Sequence, residues 1–459
     1  MKNAVKILFI VLLPCSLLYS CKKGFLEVKP QSNIVVPSNL EDLQRLLDNS
    51  LVNSAFPGLG QLSSDEYYYT YTTWQSYPAI ERNLYIWTDN VYQDQSNNGD
   101  WNSGFQAIYY ANAVLDGLNN VEKTSDNSNS WDNVKGGALF HRANRYAALL
   151  DVFTLPYEQT KASELLGLPI RTTADVSQLK QRSTLKETYD FVIKDLKNSI
   201  PLLPVGPGSS RVRASKAASF ALLARIYLNM KDYSNAKINA DSSLLCYNKL
   251  INYNTLSTTT NTPFSDVHDE MVMYDLRNIY DSTRPGYIRT TNFADPTLYS
   301  FYGANDLRKI IFFLSPNSDG TVLTKALYNS RQQNFGGIAV DEVYLIKAEC
   351  LARANEVPES LSILNALLIN RWKSNTFIPF TVSDSNAALQ LVLLERRKEL
   401  ISRGFRWSDV RRLNTEGANI TLRRNLNGII YELSPNSNKY ALLIPPDEIN
   451  SSGIQQNIR

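Results

Sequence analysis

Glu395 and Glu399 lie four residues apart, so on a helix their carboxylates share one face. A carboxylate pair is the machinery of glycoside hydrolysis. Here, however, Arg396 and Arg397 lie between the two, and Arg406, Arg411 and Arg412 follow. Guanidinium neighbours favour the charged carboxylate, whereas a general acid must hold its proton. The segment therefore reads as an ion-pair network that ties helices together. His268, beside Asp266 and Asp269, has the residue types of a weak cation site but reads as part of a solvated loop. The only other histidine, His141, is distant in sequence, so no metal centre and no His-based triad is assembled. No cofactor is implied, and the chain reads as a binding protein without catalysis.

The aromatic content points to recognition. There are 26 Tyr and 6 Trp, many of them in polar, loop-like sequence. Such rings offer a flat apolar face and a hydrogen-bonding tip. That combination suits the C–H faces and hydroxyls of sugars, and it suits peptide and protein interfaces equally. The candidates for ligand stacking are Tyr71, Trp74 and Tyr77 from a first aromatic segment, with Tyr280, Tyr287 and Arg289 from a second. The triplet Tyr67-Tyr68-Tyr69, if extended, points its rings to both sides of a strand.

The N-terminus says where the chain works. Lys2 and Lys6 precede an apolar run from Ile7 to Leu18, followed by Tyr19, Ser20 and Cys21. A run of that length is a secretory signal; a spanning helix needs roughly 20 residues. Cys21, with Ser20 before it and Leu18 three back, looks like the acylated cysteine of a bacterial lipobox. Multiple acyl chains would hold far better than one. The net charge of +3 is small, and no basic stripe suggests nucleic acid. Cys246 and Cys350 sit in apolar helical sequence and read as small buried residues.

These residues need elements to position them. The spacing of Leu40, Leu43, Leu46, Leu47 and Leu51 predicts a helix with Asn39 as its cap. Residues 56–98 read as irregular and aromatic, and 124–133 as an exposed loop. Helices are expected over 101–118, 137–153 and 185–200. Ser215 to Asn229, a turn at Met230-Lys231-Asp232, and a second helix with Ala236, Ala240 and Leu244 resemble a tetratricopeptide repeat. A second pair is expected over 340–353 and 358–371, and the fold must bring the two together, because such units cover each other's apolar faces. Residues 256–265 and 281–296 read as loops, and 395–413 as a charged helix with a turn at Gly404.

Several segments, in order, resemble the SusD/RagB family of outer-membrane nutrient-binding lipoproteins. They are Cys21-Lys22-Lys23-Gly24-Phe25-Leu26 with Pro30, Trp101 with Tyr109, Ala111 and Asn112, and Arg211 to Tyr233. Val343 to Glu349 follows, then Glu395 to Leu400 with Gly404 to Arg412, and Ile444-Pro445 with Glu448-Ile449. The resemblance implies a mainly α fold with little β: a tetratricopeptide-like scaffold carrying a loop-rich, irregular part that faces ligand. It implies a signal peptide over 1–20, an N-terminal region over 21–204 and a C-terminal region over 205–459, packed as one globular unit. It also implies an outward-facing, lipid-anchored protein of the outer membrane that delivers oligosaccharides to a SusC-type TonB-dependent transporter. Lys22 and Lys23 stand where surface-exported members often carry acidic residues. Capture of peptides, a protein-only scaffold and a surface glycan hydrolase are the alternatives.

Overall fold

In the computed structural model, Asn39 caps the first helix, α1 (Leu40–Leu47), its Oδ1 accepting from the Asp42 amide at 2.9 Å. The structure describes residues 37, 39–93, 99–325 and 327–459; the signal segment and Cys21 lie outside them. Asn39–Arg459 forms one compact unit. The helix expected to reach Leu51 stops at Leu47, and Asn49 caps a separate turn, Ser50–Asn53.

Two long helices follow, α2 (Gly99–Gly117) and α3 (Ser128–Phe153), and then α4 (Leu185–Ser199). Each packs on the next. Gly104 permits the close approach of α2 to α3, because a Cβ there would lie 2.8 Å from Leu149 Cδ2. Helix α3 begins nine residues before the expected start at 137, so 128–133 is helical and not loop. Trp131 and Asp132 anchor these first turns: the indole donates to Val121 O at 3.1 Å with the Lys123 and Lys135 ammonium groups near its ring, and Asp132 pairs with Lys123 at 2.7 Å. Helix α4 starts with a full capping box between Thr184 and Glu187.

Helices α5 (Lys216–Asn229) and α6 (Tyr233–Cys246) form the first hairpin, α7 (Val340–Arg353) and α8 (Val357–Leu368) the second. Both turn the same way. Lys231 and Asn355, each two residues past its helix, adopt left-handed φ values of 63°. In each hairpin a buried serine of the second helix donates to an alanine carbonyl of the first: Ser243 to Ala217 at 2.9 Å, Ser360 to Ala348 at 2.7 Å. Small residues at the crossings let the backbones approach. The two hairpins are stacked, with α6 against α7 and Lys347 paired to Asp241 at 2.6 Å. The chain between them returns through a loop-rich region with its own aromatic core around Tyr253, Phe264, Phe312 and Phe335.

The charged C-terminal stretch is two helices, α9 (Ser385–Glu399) and α10 (Arg406–Asn414), broken around Gly404 at φ +84°. Its carboxylates are matched by buried cations. Arg308 meets Asp306, Glu395 and Glu399 at 2.6–3.0 Å, and Arg371 meets Glu270 and Glu399 at 2.5 and 2.7 Å. Arg412 meets Glu349 at 2.6 Å and Arg396 meets Asp409 at 2.8 Å. This is the ion-pair network expected from the Glu–Arg pattern. The β content is small: two-stranded pairs such as Leu422–Leu426 with Ile429–Leu433. Among the described residues, no helix is long and apolar enough to cross a membrane.

Cys246 and Cys350 are free; Cys350 is buried and Cys246 half-buried. His268 departs from the solvated-loop reading. It is half-buried, with Nε2 3.1 Å from Tyr328 O and its ring beside Phe264 and Tyr328. Among the described residues no group of three or more His, Cys, Asp or Glu is placed to hold a metal ion.

Candidate ligand-binding site

The two aromatic segments, some two hundred residues apart, are brought side by side. Strand β1 (Tyr67–Tyr68) pairs antiparallel with β2 (Phe293–Ala294). The Tyr69 hydroxyl donates to Ser282 O, and the Ser282 amide donates to Glu81 Oε2 at 2.8 Å. As expected for an extended triplet, Tyr67 and Tyr69 turn inward while Tyr68 stays half-exposed beside Phe293. Tyr69 packs on Tyr85 and Tyr77, with centroids 4.7 and 5.0 Å apart. Burial pushes the hydroxyls of Tyr67, Tyr69 and Tyr85 up, so they stay protonated donors.

The first segment is less irregular than its composition predicts. It folds into short helices at Leu59–Ser63, Tyr71–Ser76 and Ala79–Tyr85. Thr70 caps the middle one, its hydroxyl accepting from the Thr73 amide at 3.2 Å. One helical turn then sets Tyr71 and Trp74 on one face. Their rings lie 5.8 Å apart and 29° from parallel. Tyr71 is 38% exposed and Trp74 half-buried. The Trp74 indole donates to Arg82 O at 3.0 Å, and the Arg82 guanidinium sits 5.8 Å from its ring. Gln75 donates to the Tyr71 hydroxyl at 3.0 Å. The result is a pair of near-parallel rings, with an amide on the Tyr71 hydroxyl and a guanidinium over the Trp74 ring.

The other candidates are placed differently. Tyr77 is 7% exposed, its hydroxyl 3.4 Å from Thr291 Oγ1, and so joins the two segments. Tyr280 is half-buried; its hydroxyl donates to Asp100 at 3.0 Å and its ring fills the space beside Gly58. Tyr287 is half-buried and Arg289 exposed, held by Asp281 at 2.6 Å. Sequence reasoning missed Arg82, Asp281 and Thr291, because ordinary polar residues acquire a role only through the fold. Arg82 had one signal: two helical turns after Trp74 with a break between.

A second aromatic surface lies on α2, where Phe105, Tyr109 and Asn112 meet Arg171 and Glu448 around a cavity of about 270 Å³. Arg171 lies over Phe105, its guanidinium 5.1 Å from the ring centre.

Two family models match the chain. One, described as starch-binding and associating with the outer membrane, covers residues 24–228; the other, the SusD family, covers 328–457. No curated protein matches it. Among solved structures, a SusD superfamily protein from Bacteroides thetaiotaomicron is 20% identical, with 92% of this chain and 100% of that one covered at a TM-score of 0.74. One from Bacteroides vulgatus is likewise 20% identical, covering 92% and 99% at 0.75. A SusD-like carbohydrate binding protein, also from Bacteroides vulgatus, is 19% identical, covering 91% and 97% at 0.69. These likenesses show a shared fold, and with the two matching models they place the chain in the SusD/RagB family.

Proposed function

We propose that this protein is a non-catalytic lipoprotein of the outer membrane, acylated at Cys21, that captures oligosaccharides and passes them to a SusC-type TonB-dependent transporter. The observation that carries the reading is the Tyr71–Trp74 pair, an exposed and a half-buried ring lying 29° from parallel, with Gln75 on the Tyr71 hydroxyl and the Arg82 guanidinium over the Trp74 ring. Ring faces accept the C–H faces of a sugar, and the edge groups answer its hydroxyls. Tyr287 and Arg289 border this platform in the proposal, while Tyr77 and Tyr280 support it from within. The carbohydrate-binding description of one fold relative and the outer-membrane description of one family model support the same reading. Absence of catalysis fits the carboxylates of α9, each engaged by buried cations.

The test is affinity electrophoresis of the purified chain through gels containing single polysaccharides. One or more glycans should retard it, and Trp74→Ala should migrate freely. Retardation by none, together with binding of peptides, moves the reading to peptide capture. Release of sugars from any bound glycan overturns it.

A further inference from the structure

The cavity of about 270 Å³ beside α2 shares no residue with the Tyr71–Trp74 pair. A stripe of α2 forms one side of it. Asn102, Gln106 and Tyr109 stand at i, i+4 and i+7, so the three lie along one face of the helix. All three are exposed, Tyr109 by 43%. Among the described residues, none bonds to the two side-chain amides or to the Tyr109 hydroxyl. Buried Phe105 lies behind them, but the Arg171 guanidinium already covers its ring. Tyr109 is therefore the ring that this cavity offers to a ligand.

The opposite wall is the segment 171–176, and α2 holds it in place. Asn112 Nδ2 donates to Arg171 O at 3.0 Å and to Thr173 O at 3.1 Å, and the Ala174 amide donates to Asp116 at 2.8 Å. The Arg171 amide donates to the Tyr146 hydroxyl at 2.7 Å. A wall fixed in this way costs little further ordering when a ligand enters.

Charge defines the ligand by exclusion. The lining carries one guanidinium, Arg171, and two carboxylates, Glu448 and Asp175. Arg171 Nη2 lies 3.4 Å from Glu448, and Asp175 accepts from the Ser177 amide and hydroxyl and from Gln178. That balance disfavours an anion, and a cation would have to displace donors that both carboxylates already accept. The groups left open are neutral. Side-chain amides donate and accept, as sugar hydroxyls do. An open ring beside them suits the C–H face of a pyranose. The volume is at the small end of ligand sites, which suits one ring and its substituents.

We propose that the cavity beside Tyr109 is a second saccharide site, in which one neutral pyranose residue stacks its C–H face on the Tyr109 ring and sets its hydroxyls on Asn102 and Gln106. The site rests on the sugar-binding reading above and adds a second point of attachment to it. A glycan that reaches both sites makes its second contact intramolecularly and gains avidity.

The full chain carrying Tyr71→Ala, which disables the ring pair, is titrated with the methyl pyranosides of glucose, galactose, mannose and xylose by saturation-transfer difference NMR. At least one pyranoside receives saturation at its ring C–H protons. Sorbitol, which has the hydroxyls without the ring, receives none, and neither does N-acetyl-alanyl-alanine amide. Adding Tyr109→Ala raises the dissociation constant about tenfold or more, and Gln106→Ala raises it in the same direction. Both variants change exposed side chains of α2, so their unfolding temperatures match the parent's. No transfer to any pyranoside, equal transfer to sorbitol or the peptide, or full binding by folded Tyr109→Ala overturns the proposal. The two sites fail separately. Sugar binding that Tyr71→Ala abolishes and Tyr109→Ala leaves intact overturns this site alone. Binding that survives Tyr71→Ala and is lost with Tyr109→Ala supports this site and removes the ring pair.

Discussion

Arg225 and Glu342, 117 positions apart in sequence, meet through two parallel hydrogen bonds of 2.7 and 2.6 Å and join α5 to α7. Both side chains are buried, and Arg225 also covers the Phe405 ring at 4.4 Å. This contact adds a buried tie between the two repeat hairpins beside the packing of α6 on α7. Removing one partner of a buried pair strands the other's charge. Glu342→Ala should therefore lose about 3–5 kcal/mol of stability in urea unfolding. The apolar double variant Arg225→Met with Glu342→Leu should recover most of that. A single-variant loss under about 1 kcal/mol, the scale of an exposed pair, would show that the pair is no such tie.

Tyr71 and Tyr280 should separate recognition from stability. Tyr71→Ala removes an exposed ring, so its unfolding free energy should stay within about 0.5 kcal/mol of the parent. Its affinity for any glycan that retards the parent should fall about tenfold or more. Tyr280→Phe removes the hydroxyl that donates to buried Asp100, alongside Asn278 and the Gly58 and Leu59 amides. It should cost about 1–3 kcal/mol of stability and leave glycan retardation unchanged. The reverse pattern would move the platform from Tyr71 to Tyr280.

His268 should make the protein less stable in mild acid. Burial pushes its imidazole down to about 4, against about 6.5 in an unfolded chain. Below the unfolded value the open chain takes up a proton that the fold refuses. This contribution is complete above about pH 6.5 and is lost as the pH falls toward 4. His268→Gln should retain about 2 kcal/mol more than the parent when both are taken from about pH 7 to about pH 5. Equal losses would place the proton uptake elsewhere, with His141, pushed down to about 3 by burial, as the next group to change.

Cys21→Ser should abolish incorporation of labelled palmitate and release the chain from the membrane fraction. Labelling that survives the substitution would refute acylation at this position.

Local signals were legible wherever the physics is local. The cap at Asn39 and the hairpin turn at Lys231 each involve neighbours within about one helical turn, and the alanine-lined crossing of α5 and α6 joins two helices separated by a short turn. The Glu–Arg pattern of α9 and α10 was legible for another reason: so many opposite charges in helical, half-apolar sequence must find each other. The start of α3 was misread because the Ser- and Asn-rich 128–133 is tied down by Trp131 and Asp132, whose partners Val121 and Lys123 lie outside the helix. His268 does lie in a loop, but its reading as solvated failed similarly, since Phe264 and Tyr328 cover it from both sides in sequence.

By itself, the amino-acid order determined paired helices, charged C-terminal helices and two aromatic segments. Each follows from side-chain type at short range. Only the tertiary structure decided which rings face outward. The same residue types stay at least partly open to solvent at Tyr71 and Trp74 but serve packing at Tyr77 and Tyr280, because strand β1 meets β2 and the Tyr280 hydroxyl is bound to Asp100. The cavity beside Tyr109 is likewise invisible in sequence. Whether a ring on a helix faces open water or a wall depends on a distant segment, here 171–176, and on the α2 side chains that hold it, Asn112 and Asp116.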